Sequence, residues 1–570
     1  MSVATPAKST VQRTPLYRKR RANPLRVVLV GPSQVPSWIA TLFELARDHG
    51  DVDLQALVAD IPADPSPRRL PLDLRLFLWV ERALLRTYLR LCRRSLEGPL
   101  SPVSLPMQCR VDSTFPEPTA DPHAIRSQLE AMQVDLVLLY GPRAWAGILA
   151  DSTEYGCWVL DGDLTDPVHA GAALVAPILA REIATPLVLE LNSPESEGNA
   201  VPEVLATSWG ATRAVSFNQH RDLAMVKLPS LLLRAFRQLP ETPARRVANL
   251  QVGPSASNCG FGAGMRAVLI AAKLALQSRS RRIAVNQPWF VLLPEPGEAM
   301  DLKAPSLGAC RYLLAPQPDY WADPFLMEHS GQLLLFVEQY VDACKRGVIV
   351  CIRLDADGTA TKLGVALDEP FHLSYPQIFR WQDAWYMTVE SCDANRVSLY
   401  RAEDFPLRWV HESDLIHGRV CVDPTLEYHD GRWYLFANVS ESGGNPSDEL
   451  FLFVADALHG PYLPHPANPV SVDVRNARPA GRLFRRDGCL FRPAQCCAPE
   501  YGSAVVFNEV LELSPDHYVE RAVSRLAPYW SEQLDGCHTY NATGNQEVLD
   551  AHGQPPSMAM RIRVTESDQV

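Results

Sequence analysis

ADPFLMEHSGQLLLFVE (Ala322–Glu338), SYPQIFRWQDAWYMTVE (Ser374–Glu390) and VDPTLEYHDGRWYLFAN (Val422–Asn438) are three copies of one phrase. In each, a proline (Pro324, Pro376, Pro424) is followed seven positions later by a turn residue, Gly331, Asp383 or Gly431. Alternating aromatic and aliphatic residues come next and end on Glu338, Glu390 or Asn438. Strand, tight turn and strand in this order read as a β-hairpin. The prolines lie 52 and 48 residues apart, the length of a four-stranded propeller blade. A weaker copy, GRLFRRDGCLFRPAQ (Gly481–Gln495), turns at Gly488. A fifth blade is expected to close by pairing Trp289–Leu293 with strands near His538–Asn541. The spacing predicts an all-β five-bladed propeller over residues 286–545.

At 570 residues the chain is too long for one core, and its 47% hydrophobic and 21% charged content is that of a globular protein. The net charge of -11 argues against nucleic acid as a partner. Thirteen cysteines without a C-x-x-C pair form neither a disulfide framework nor a zinc motif. Arg18, Lys19, Arg20 and Arg21 are followed by no apolar segment, and no run reaches eighteen apolar residues, so the expected compartment is the cytoplasm.

The first half reads as α/β. Arg26–Gly31, a helix-period segment Ser37–His49 and a strand from Asp53 to Ala59 make a βαβ unit; Asp135–Tyr140 and Gly156–Leu160 extend the parallel sheet. Residues 1–24 are expected as a disordered basic tail, 25–240 as the α/β domain, 241–285 as linker and helix, and 546–570 as a C-terminal tail. The 72–94 helix places Arg75, Arg82, Arg86, Arg90 and Arg93 on one side, opposite leucines. This makes it a candidate for peripheral contact with an anionic membrane. A docked surface helix with a solvated arginine face is the plainer reading.

The order of these elements, a Rossmann-like parallel sheet over roughly Leu25 to Leu239, resembles formyltransferases that use a formyl-folate donor. That family's catalytic asparagine, histidine and aspartate fall on Val159, Asp161 and Ser196 of this chain. Valine can neither donate a hydrogen bond nor hold charge, so the resemblance implies a scaffold without formyl transfer. Asp161 and Asp163 could serve a remodelled pocket acting on an acyl or amino compound.

In a propeller the inner strands of all blades open onto one mouth. Asp323 and Asp423, each before a proline, hold equivalent places in blades one and three. These motifs resemble family 43 glycoside hydrolases, in which such residues act as general base and as the group that tunes the acid. The carboxyl pair serves an oxocarbenium-like transition state. The expected blade-four glutamate is replaced by Arg478-Pro479-Ala480-Gly481-Arg482, and Glu390 is the nearby acid. Arg478 and Arg482 suit an anionic ligand.

A longer resemblance rests on His372-Leu373-Ser374-Tyr375-Pro376, Leu458-His459-Gly460-Pro461-Tyr462, Gln495, Cys497 and His538-Thr539-Tyr540-Asn541. These phrases are similar to the propeller at the N-terminus of plant glucosamine inositolphosphorylceramide transferases. They also resemble bacterial proteins that join a formyltransferase-like domain to such a propeller. The resemblance implies work on glycan, glycolipid or glycosylated-metabolite assembly. Asp323, Asp423 and Glu390 are the catalytic candidates; Trp321, His372, Arg478, Arg482, Gln495 and His538 are the candidate contacts to a sugar or anionic sugar conjugate. The alternatives are a glycan- or partner-binding propeller on an inactive scaffold, and a transferase using the remodelled α/β pocket. No pattern specifies a cofactor, although a divalent ion among Asp323, Glu390 and Asp423 is compatible with the set.

Overall fold

The computed structural model describes residues 13–61, 101–110, 120–160, 174–192, 202–239, 246–252, 288–295, 299–355, 358–528, 534–555 and 560–567. It also describes scattered positions at 72–81, 164 and 262–273. The chain divides into two compact units. One comprises Met1–Arg18, Val285–Ser440 and Pro446–Val570; the other comprises Lys19–Ala284 and Glu441–Asn445.

The first unit is a five-bladed propeller. Blade one runs Tyr320–His329, Gln332–Val341, Arg346–Leu354 and Ala360–Leu367 from the axis outward; blade two runs Ser374–Trp381, Ala384–Glu390, Arg396–Asp404 and Arg408–His417. Blade three contains Cys421–His429, Arg432–Val439, Leu450–Ala455 and Leu463–Pro464, and blade four Phe484–Arg486, Cys489–Cys496, Ala504–Leu513 and Tyr518–Leu526. The hairpin turns Ser330-Gly331, Asp430-Gly431 and Asp487-Gly488 have positive φ at both residues, the backbone twist that two-residue β-turns require. Apolar faces of neighbouring blades fill the spaces between them.

Blade five differs from the expected pairing. Trp289–Pro294 pairs with Gln546–Gly553, and Tyr540–Thr543 is bonded to the other edge of that same strand. Cys310–Leu313 pairs with the far edge of Trp289–Pro294, and Leu534–Gly536 also pairs with Gln546–Gly553. The segment expected as a C-terminal tail therefore supplies the central strand of the closing blade. It also supplies Val564–Glu566, which lies parallel to Ala360–Leu367.

Nor is the N-terminal segment a free tail throughout. Thr14 exchanges hydrogen bonds with the His417 backbone, N to O at 2.9 Å and N to Oγ1 at 2.9 Å. Leu16 is fully buried, and the Tyr17 ring meets Phe451 edge-on at 5.8 Å. Arg18 donates to the Pro464 and Pro515 carbonyls and pairs with Asp516. Residues 14–18 thus strap blades two, three and four together.

The second unit holds a seven-stranded mixed sheet. Its order is Val52–Val58, Leu25–Gly31, Leu136–Leu139, Gly156–Leu160, Arg246–Val252, Ala184–Asn192 and Glu203–Ala211. The first five strands are parallel; the last two form an antiparallel hairpin at one edge. Helices Ser37–His49, Pro122–Met132 and Leu228–Arg237 pack their apolar faces toward the cores beside this sheet. Arg246–Val252, expected in the linker, is an interior strand. Ser196, Asp161, Asp163 and most of the segment expected as the 72–94 helix lie outside the described residues.

The strap makes a testable demand. Leu16→Ala should cost about 2–5 kcal/mol, the range for deleting a buried leucine side chain, in the propeller's urea-unfolding transition. An unchanged midpoint would show that residues 14–18 lie on the propeller without stabilising it.

Candidate functional site at the propeller mouth

The site grows from a break repeated in the inner strands. Registers slip between Ala322 and Phe325, Ser374 and Gln377, and Val422 and Thr425. The residue before each proline, Asp323, Tyr375 or Asp423, takes a φ of 49, 51 or 48°. Proline has no N–H for the ladder, and the bulge re-aims the residue before it. Left-handed backbone at a non-glycine residue costs of order 1–3 kcal/mol and persists only where surrounding bonds fix it. Here they do. The Asp323 N–H donates to Asp550 Oδ2 at 3.1 Å, and the Asp423 N–H to Glu390 Oε2 at 3.1 Å. The Tyr375 N–H donates to Asp323 Oδ2 at 3.2 Å.

Two rings of side chains result. Asp323, Tyr375, Asp423, Arg478 and the His538-Thr539 pair come from the inner edge of each blade in turn. Behind them, from the second strands, stand Glu338, Glu390, Asn438, Gln495 and Asp550. All five of the second ring are buried.

Asp423 is fully committed. Arg478 Nε reaches its Oδ2 at 2.6 Å, Arg478 Nη2 its Oδ1 at 3.4 Å, and Gln495 Nε2 donates to Oδ2 at 2.6 Å. The Arg478 guanidinium also lies 3.6 Å from Glu390 Oε2 and 4.8 Å over the Tyr501 ring. Asp323 accepts from Thr539 Oγ1 at 2.7 Å and faces His538 Nε2 at 3.5 Å, while His538 Nδ1 meets Asp550 Oδ2 at 2.6 Å. Among the described residues, Asp323, His538 and Asp550 form the group whose ligand atoms, all within 4.8 Å of one another, come nearest to a metal set. A divalent ion among Asp323, Glu390 and Asp423, which the residue types allow, would meet the Arg478 cation against two of those three carboxyls.

Burial divides these acids. It pushes Asp323 up to about 6, against the opposing pull of His538. Burial, then the neighbouring charge of Asp323, lifts Glu338 well above the usual carboxylate range. Glu390 rises likewise from burial and from Asp423, despite Arg478. Burial alone would lower the His538 imidazole; Asp550 and Asp323 outweigh it and hold it above its ordinary value. The site therefore pairs some acids with cations and shifts Glu338 and Glu390 toward the protonated form.

Toward solvent lies an aromatic rim. Tyr320 and Tyr340 stack at 4.9 Å and 5°, with His372 beside Tyr340 at 6.3 Å. Trp289 stacks on His538 at 4.0 Å and meets Tyr501 edge-on at 6.5 Å. The Gly347 N–H donates to His372 Nδ1 at 2.8 Å, so the neutral ring carries its proton on Nε2, 3.4 Å from Glu338 Oε1. Burial lowers this histidine below its ordinary value.

Asp323, Asp423, Glu390, His372, Arg478, Gln495 and His538 thus gather at one mouth. Gln495 and His538 are spent on internal partners and do not face outward. Arg478 turns inward to Asp423. Two candidates lie elsewhere. Trp321 is fully buried among Leu313, Leu335 and Val337 between blades five and one, its Nε1 donating to Gln339 at 3.3 Å. Arg482 sits farther along the inner strands, 5.7 Å over the Phe325 ring and 3.5 Å from the Ile378 carbonyl. The sequence reading missed Glu338 as a site residue, together with Asp550, Asn438, Tyr375 and Tyr501. Glu338 and Asn438 share Glu390's place in the repeat, and that was the available signal. Neither amide atom of fully buried Asn438 has a hydrogen-bond partner among the described residues.

Residues 304–554 match the family described as glucosamine inositolphosphorylceramide transferase 1, N-terminal. The chain is 37% identical over 210 residues to glucosamine inositolphosphorylceramide transferase 1 of Oryza sativa subsp. japonica, a stretch covering 36% of this chain and 28% of that protein. The protein of the same name from Arabidopsis thaliana is 33% identical over 206 residues, 35% of this chain and 27% of the relative. The chain therefore spans less than a third of these relatives' length. Among solved structures, a family 117 glycoside hydrolase of Zobellia galactanivorans superposes with a TM-score of 0.31 at 13% identity, covering 47% of this chain and 90% of its own. A GH43 β-xylosidase/α-arabinofuranosidase from a compost metagenome gives 0.32 at 13%, covering 48% and 98%. Superpositions this loose add nothing to the argument.

The raised acids set the sign of the pH dependence. An acid whose folded value is raised stabilises most below its unfolded value and loses that contribution as pH climbs through the folded one. For Asp323 the loss falls between 3.8 and about 6. Glu338→Gln and Glu390→Gln, which mimic the protonated acids, should flatten the fall in stability from acid to neutral pH. Asp423→Asn removes the Arg478 counter-ion and should cost about 3–5 kcal/mol. Urea unfolding across pH measures both; a Gln variant that steepens the profile would refute the upward shift of that acid.

Proposed function

We propose that the propeller handles carbohydrate in a protein of glycan, glycolipid or glycosylated-metabolite assembly, and that its mouth receives a neutral, hydroxyl-rich sugar. The observation that carries this reading is an aromatic rim set over buried carboxyl groups that burial shifts toward the protonated form. A sugar offers C–H faces to aromatic rings and hydroxyls to polar groups. Tyr320, Tyr340, Trp289 and Tyr501 suit the faces; Glu338 and Glu390 suit the hydroxyls. The plant relatives' name, with its glucosamine and its lipid acceptor, supports sugar on a lipid-linked partner as the ligand class.

Two features bear on the finer expectations. Arg478 already has its charge met by Asp423, so an anionic sugar conjugate gains little there. Asp323 and Asp423 spend their oxygens on Thr539, the Tyr375 N–H, Arg478 and Gln495. That burial favours recognition over bond cleavage. One observation favours catalysis: burial raises the Glu390 carboxyl, the direction a general acid needs. The second unit fits a formyltransferase-like scaffold without formyl transfer. The support is its run of parallel strands, with buried Val159 where a polar catalyst is expected. The alternative acyl or amino transferase would use Asp161 and Asp163.

Calorimetric titration with neutral sugars, amino sugars and uronic acids tests the reading. Tyr501→Ala should weaken binding of a neutral or amino sugar about tenfold, or about 1.4 kcal/mol. Uronic acids binding tighter than their neutral counterparts would count against it. Under the catalytic reading, Glu390→Gln keeps ligand affinity but lowers turnover by about 10²–10⁴.

A further inference from the structure

We propose that the propeller carries a second ligand site, at the end of its central channel away from the mouth, and that this site takes a small oxyanion, a phosphate or a carboxylate. Tyr375 closes the channel beneath the mouth. Its hydroxyl, from blade two, lies 2.9 Å from Thr425 Oγ1 of blade three and accepts the Gly481 N–H of blade four at 2.6 Å. Arg482 comes next along the axis. Its backbone N–H donates to Asn541 Oδ1 of blade five at 2.9 Å. Its guanidinium sits 5.7 Å over the Phe325 ring of blade one and 3.5 Å from the Ile378 carbonyl of blade two. A blade-four side chain that meets blades one and two has crossed the channel. Thr425 faces the axis, and strand alternation puts Glu427 and His429 on the same side of their strand. Arg485 Nη2 meets His429 Nδ1 at 3.0 Å. Arg485 is exposed, and Arg482, Glu427 and His429 are half-buried, so the channel opens to solvent at this end.

An uncompensated cation decides the occupant. The Arg482 Nε is enclosed without a hydrogen-bond partner, and its guanidinium forms no ion pair among the described residues. Arg478, four residues earlier, has Asp423 at 2.6 Å. The acid whose charge reaches Arg482 is Glu427, whose carboxyl makes no hydrogen bond or ion pair among the described residues. Burial pushes Glu427 up to about 7, against the pull of Arg485 and Arg482. Burial also brings the Arg482 guanidinium down to about 10, against Tyr375 and Glu427. The channel is thus short of negative charge at a desolvated arginine. Water would satisfy the orphan N–H but leave the charge unmet. An oxyanion answers both, with an oxygen on Nε and its charge opposite Arg482 and Arg485. The neutral sugar proposed for the mouth would not, and Tyr375 separates the two sites, so the two readings stand independently.

Equilibrium dialysis of the full chain against radiolabelled inorganic phosphate, and calorimetric titration with acetate, both at fixed ionic strength, test the proposal. One of the two anions should bind at a single site; phosphate alone assigns a tetrahedral group, acetate alone a planar one. Arg482→Met should weaken that binding about tenfold or more. Arg485→Gln, on the exposed rim where folding is not at stake, should weaken it about threefold. Glu427→Gln, which removes the competing carboxylate, should tighten it about threefold. Wild-type protein that binds neither anion, or arginine variants that bind as well as wild type, would overturn the proposal. So would a Glu427→Gln variant that binds more weakly and unfolds at lower urea, which makes Glu427 the counter-ion of Arg482.

Discussion

An imide nitrogen cannot feed a β-ladder, and on that fact the mouth of the propeller is built. Each of the first three inner strands stops pairing at its proline, and the residue before it swings into left-handed backbone. Asp323 and Asp423 then point toward the axis instead of across a sheet. What holds them there comes from the neighbouring blades: Asp550 and Glu390 each accept the N–H of a bulged residue from the next blade round. Local strain is thereby fixed by contacts between blades, so the geometry of the mouth depends on the whole ring being closed.

Crowding carboxyl groups away from water has two physical remedies, and both are used. Asp423 and the Asp323–Asp550 pair take cationic partners, Arg478 and His538, which keeps the buried negative charge compensated. Glu390 shares Arg478 with Asp423, Glu338 faces only a histidine whose charge burial disfavours, and both acids are shifted toward the protonated form. The aspartates end as framework, their oxygens spent on internal partners, while Glu338 and Glu390 are the acids shifted toward the protonated form. That division explains why the aspartates, the more conspicuous in sequence, are the poorer candidates for contact.

The repeat phrase carried most of the propeller because strand alternation, the turn and the proline step each report local backbone. The same phrase placed Asp323, Asp423 and Glu390 at one end of the disc. It could not report which side chains would be turned inward. Arg478 reads as a free anion contact until Asp423 is set 2.6 Å away, and Trp321 as a platform until Leu313 and Val337 close over it. The partner of Trp289–Pro294 was missed because the two strands are far apart in sequence and no local pattern links them. Arg246–Val252 was missed for a related reason: an interior strand of a parallel sheet reads as a short apolar run beside linker-like sequence.

The closing blade has a kinetic consequence. Trp289 finds its partner His552 only after nearly the whole propeller has left the ribosome. Until then the first strand made has only Cys310–Leu313 beside it and leaves its other edge unpaired, while the four blades between form from nearby hairpins. Assembly of the disc is thus a local process with one slow, long-range final step, and the interval before it is when the unfinished ring is most open to pairing with the wrong strand.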